Sequence, residues 1–141
     1  MRHLVKDPAH DFVRIHAFSS GVEVQHQSMP HHRQLMLQEL ARPTEATGEL
    51  VRECIESEFR ILFEIVSELV DAPEERRQMV CFSVVGQCLY YKLAMPVVEQ
   101  LVEDTAGYTI DRLATHIAEL TLAALGRRPT LASQGEAACR K

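Results

Sequence analysis

FSVVGQCLYYKLAMPVV, residues 82–98, carries one formal charge, Lys92, and its reading decides the fold. The run is apolar on nearly every side, yet Gly86, Gln87 and the adjacent Tyr90 and Tyr91 interrupt it. Its length approaches the ~20 residues that cross a bilayer. Gln87, Lys92 and Pro96 inside the run, and the charges on both flanks, favour a helix buried on most sides within a folded domain. Pro96 has no amide proton and its ring collides with the preceding turn, so the helix should kink or divide after Met95.

Working outward, the next segment is also helical. Thr109 is placed to cap it, and Ile110, Leu113, Ala114, Ile117, Leu120, Thr121 and Ala124 recur at three- and four-residue steps. Upstream, Asp71 and Glu74 have capping-box spacing for the helix that contains the opening run. Before them, Leu50 to Leu69 form a long amphipathic pattern that Thr44 or Thr47 can cap. A shorter helix from Pro30 to Ala41 presents Leu35, Met36 and Leu40. The first helix starts at Asp7–Pro8, shows Phe12, Ile15 and Phe18 as its stripe, and should break at Ser19, Ser20 and Gly21. No run alternates at period two. The expected fold class is therefore all-α, an antiparallel helical bundle of about five main helices. Residues 1–126 form one domain and 127–141 a flexible tail.

Composition narrows the function. The chain has 141 residues, 46% of them hydrophobic, which is enough for a real core. A net charge of −5 gives no clustered positive footprint for phosphates, so the chain itself should not grip nucleic acid or an anionic membrane. Cys54, Cys81, Cys88 and Cys139 form no C-x-x-C pair and read as reduced, buried thiols, which points to the cytoplasm. The opening MRHLVKDPAHDF has no apolar stretch of the kind that directs secretion. No G-x-S-x-G, P-loop or G-x-G-x-x-G is present, so no enzyme class is indicated. Six histidines fall in the first 32 positions (His3, His10, His16, His26, His31 and His32). They lack the helical i, i+3/i+4 grouping of a metal site, so no metal or cofactor is expected. The first two helices, separated by about eight residues, do not fit a helix-turn-helix, whose turn is shorter.

Two constellations remain. Ser83, Gly86, Tyr90 and Ala94 share one helix face, where small residues admit a second helix. A glycine inside a helix costs about 1 kcal/mol relative to alanine, and close approach is a reason to keep it. With Leu113, Ile117, Leu120, Thr121 and Ala124 of the last helix, this face is expected to form a homodimer, four helices meeting across a two-fold axis. Met36, Phe59, Phe63, Phe82, Gln87 and Tyr91 would line a cavity for a small, largely apolar effector held by a few hydrogen bonds. The tyrosines fit equally well with hydroxyls simply reaching the surface.

HHRQLMLQELARPT (31–44), the long amphipathic helix, FSVVGQCLYYKLAMPVVEQL (82–101) and IDRLATHIAELTLAAL (110–125) together resemble the C-terminal domain of TetR-family transcriptional regulators. The resemblance covers residues 29–125, and VVGQCLYYKLAMPVV is its most specific part, similar to the YbiH/CerR-like branch. It implies an α-helical effector-binding and dimerisation domain of a probable repressor. The last two helices would pair across the two-fold and the inducer would lie among the middle ones. Binding would release operator DNA by respacing two DNA-binding heads. Such proteins carry an N-terminal helix-turn-helix. None is legible here, so DNA contact would belong to a fuller protein. The competing readings are a histidine-based metal or enzyme bundle and a helical adaptor for a partner protein.

Overall fold

The computed structural model describes residues 8–27 and 30–127, and every regular element among them is helical. In chain order these are α1 (Pro8–Gln27), α2 (Pro30–Ala41), α3 (Thr47–Leu50), a π turn (Val51–Ile55), α4 (Glu56–Leu69), α5 (Glu74–Leu93), α6 (Met95–Leu101) and α7 (Ile110–Ala124). The all-α expectation holds.

The core is built by four of them. Phe12 and Ile15 come from α1, Leu62, Ile65, Val66 and Leu69 from α4, Cys81, Val84 and Cys88 from α5, and Ile117, Ala118 and Leu122 from α7. Each set repeats at three or four residues, the spacing that puts side chains on one face of a helix. Burying each of the larger aliphatic side chains stabilises the fold by about 1.5–3 kcal/mol before the entropy of ordering the chain is subtracted. α1 lies along α7, so the first and last helices are neighbours.

Polar ties hold the first half of α1. Arg127 pairs with Asp11, both side chains being nearly buried, and also donates to the Leu69 carbonyl at 3.0 Å. Arg14 pairs with Glu68 of α4. His16 Nε2 lies 3.0 Å from Asp111 of α7. Arg127, the first residue of the expected tail, is thus anchored, and 128–141 lie outside the described residues.

The structure corrects several local expectations. α1 does not break at Ser19–Gly21 but continues to Gln27. Ser19 is fully buried on the same face as Phe12 and Ile15, so packing outweighs the poor helix propensity of the Ser-Ser-Gly stretch. The gap to α2 is therefore two residues rather than eight, and the spacing argument against a helix-turn-helix lapses. Among the described side chains of α2, the exposed large apolar ones are Leu35, Leu37 and Leu40. Pro73, with ψ 152°, takes the N-cap of α5, and Asp71 makes no cap. Neither Thr44 nor Thr47 caps the long helix. Both are bound instead by Glu39, which accepts from the Thr44 amide at 3.1 Å and from the Thr47 hydroxyl at 2.7 Å. Asp7, His3 and Cys139 lie outside the described residues.

Other expectations hold. Thr109 accepts from the Arg112 amide at 3.3 Å and caps α7. The helix divides as expected, but at Ala94 rather than after Met95, and Pro96 sits in the first turn of α6, where its missing N–H has no helical partner to lose. Among the described residues no single helix is long and apolar enough to cross a membrane. Only α5 and α6 taken together pass that test, and they meet at a 71° bend.

Candidate functional site

The sequence stripe on α5 lies on the outside of the chain. Ser83, Gly86 and Tyr90 are exposed, Ala94 is half-buried, and Met79 and Phe82 extend the same surface. Ser83 and Gln87 satisfy their polar groups within the helix: the Ser83 hydroxyl donates to the Met79 carbonyl at 2.9 Å, and Gln87 Nε2 to the Ser83 carbonyl at 3.2 Å. The surface is therefore apolar in effect.

α7 runs beside it. Leu120, 49% exposed, and Ala124 face outward, Leu113 is half-buried, and Ile117 and Thr121 are buried in the chain's own interior. Between the two helices lies a cleft of about 290 Å³ that brings together Ser83, Gln87, Leu120, Thr121 and Ala124 with Arg76 and Met79. A Cβ added at Gly86 would meet nothing within 4 Å. Among the described residues no contact accounts for a glycine in this helix.

The six expected pocket residues divide. Phe59, Phe63 and Phe82 form one cluster, with ring centroids 6.4 Å apart for Phe59–Phe63 and 5.1 Å for Phe59–Phe82. The Arg77 guanidinium stands 5.4 Å above the Phe63 ring. Met36 is buried under α2, outside the main core cluster. Gln87 turns into the α5–α7 cleft. Tyr91 meets Tyr108, at 6.3 Å, at the other end of the seam.

Sequence reading missed Met79, Arg76, Arg77, Tyr108 and Arg112. Met79 was legible, since it precedes Ser83 by one turn on the same stripe. Tyr108 and Arg112 were not, because their contact with α5 depends on how the 102–109 connection folds back.

The electrostatics carry little reactivity. Burial pushes the Cys81 thiol up to about 11, which keeps it protonated and unreactive near neutrality. Burial also raises the Glu58 carboxyl above its usual value. Hydrogen bonds from Thr47 and Thr44 hold Glu39 low, and Arg14 holds Glu68 low. Among the described residues no three His, Cys, Asp or Glu side chains group so as to hold a metal ion.

A family model described as "HTH-type transcriptional dual regulator CecR, C-terminal domain" matches residues 3–125. The chain belongs to this family. The CecR C-terminal unit takes in α1 through α7, so it starts well before residue 29, where the resemblance was expected to begin. It makes this chain the C-terminal domain of a transcriptional regulator. Comparison with curated proteins and with solved structures gave no significant match.

Proposed function

We propose that this domain pairs with a second copy of itself through the outer faces of α5 and α7, and that it senses a small, largely apolar effector. The observation that carries the pairing is Gly86. A helix-interior glycine is unfavourable, its own chain leaves room for a side chain there, and it sits amid exposed Met79, Phe82 and Tyr90. A partner helix arriving at that point supplies the missing reason. Ser83, Gly86, Tyr90, Ala94, Leu113, Leu120 and Ala124 form the proposed contact. Ile117 and Thr121 support it from below.

The effector is assigned to the Phe59–Phe63–Phe82 cluster under Arg77, where aromatic faces and one cation converge. On this reading the protein is a TetR-type regulator of the YbiH/CerR-like branch, acting as a repressor in the cytoplasm. Operator DNA is held by a helix-turn-helix head in a fuller protein, and effector binding changes the spacing of two such heads.

The pairing is tested by Gly86→Leu. A Cβ at this exposed position meets nothing within 4 Å among the described residues, so the variant should fold with its helical content intact. Sedimentation velocity should show it as a monomer at concentrations where the parent is a dimer. A variant that dimerises like the parent would remove Gly86 from the interface.

A further inference from the structure

At the end of the α5–α7 seam opposite the Ser83 cleft lies a second concavity, of about 370 Å³, lined by Tyr91, Gly107, Tyr108, Arg112, Leu113 and His116. Its size falls within the range of small-molecule sites. The chain carries a net charge of −5, yet no lining residue is acidic and the one permanently charged lining group is the Arg112 guanidinium. Among the described residues Arg112 makes no ion pair. The nearest acidic neighbour in sequence, Asp111, is turned to His16.

The guanidinium lies close to the connection: a Cβ at Gly107 would come within 3.1 Å of Arg112 Nη1. Beside it the Tyr91 and Tyr108 rings stand 6.3 Å apart at 55°, a tilted pair, with Leu113 as an apolar wall. His116 adds an imidazole that can take part in hydrogen bonds.

We propose that this cleft binds a small aromatic carboxylate. The carboxylate takes the planar, forked guanidinium of Arg112, and the ring lies against Tyr91 and Tyr108. The inference extends the sensing half of the proposed function to a second site; it borders the proposed pairing face at Leu113 but rests on neither the pairing nor the phenylalanine cluster.

The test is an amide chemical-shift titration of the ¹⁵N-labelled chain with three probes: benzoate, its neutral isostere benzamide, and acetate. Benzoate should shift the amides of Gly107, Tyr108 and Arg112 saturably and bind about tenfold or more tighter than either control, the consequence of losing a charge-assisted contact or the ring contact. Arg112→Gln, at an exposed position, should bring benzoate down to the benzamide level and leave benzamide unchanged. Benzoate and benzamide binding alike, acetate binding as well as benzoate, an Arg112→Gln chain that still binds benzoate fully, or shifts centred on Phe59 and Phe63 would each overturn the assignment. Molar mass recorded on the same samples reports the pairing separately, so either idea can fail with the other intact.

Discussion

The two faces of α5 differ more from each other than α5 differs from the other helices. Cys81, Val84 and Cys88 on the inner face have no exposed surface, while Met79, Phe82 and Tyr90 on the outer face leave about half or more of theirs in solvent. Both faces come from one apolar run. The chain's own fold uses the first, and the second is left over. The lesson is that an apolar helix can be over-supplied: α1, α4 and α7 close the core without the outer stripe. The helix that looked buried on most sides is buried on one.

Variants can sharpen or break that contrast. The largest effect belongs to the inner side. Leu62 is fully buried between α4 and the core, so Leu62→Ala should cost about 2–5 kcal/mol, from lost burial and the cavity left behind. Urea denaturation would measure it, and a cost under that range would mean the core relaxes into the gap. Next is the tie that closes α1 onto the core. Arg127→Ala leaves the Asp11 carboxylate nearly buried without its cation, and should cost about 3 kcal/mol. Hydrogen exchange should show faster opening in the first turns of α1 than in α4.

The outer face should answer with opposite signs in two assays. Gly86→Ala removes a helix penalty and meets no neighbour in the single chain, so it should stabilise the isolated fold by up to about 1 kcal/mol. The same methyl should weaken pairing, read as a higher dissociation constant. An alanine variant that gains in both assays would separate Gly86 from the interface.

The smallest effects are in pH. Glu39 and Glu68 have folded-state pKa values below the ordinary 4.5. Their contribution is complete above that ordinary value and is lost as pH falls through the lower folded value. Glu58 is raised by burial, so its ionised form is disfavoured in the folded chain above that raised value. Thermal unfolding below about pH 5 should therefore be less acid-sensitive in Glu39→Gln, and Glu58→Gln should be slightly more stable than the parent near neutrality.

How much was legible follows from what each feature depends on. Local periodicity placed the inner face of α4, and backbone chemistry placed the division near Pro96 and the Thr109 cap; on α7 periodicity missed the buried Ala118 and Leu122 and included the exposed Leu120 and Ala124. The continuation of α1 through Ser-Ser-Gly was hidden, because it depends on burial of Ser19 against distant helices. The π turn was hidden as well. There the Glu56 amide reaches back to the Val51 carbonyl, an extra residue per turn with no signature in composition. For the candidate site, helical spacing alone puts Ser83, Gly86 and Tyr90 on one side of α5, and all three are exposed. The pocket was not, because Phe59, Gln87 and Tyr91 belong to three places whose separation depends on how α5 is rotated against α4 and α7.

The central claim, that the outer face of α5 exists to meet a second copy, is tested most directly by molar mass in solution. Light scattering behind a sizing column, over a dilution series, should give twice the mass of one chain, with dissociation only at high dilution. The mass of a single chain at every concentration would contradict it and leave the exposed Met79, Phe82 and Tyr90 facing something other than this chain.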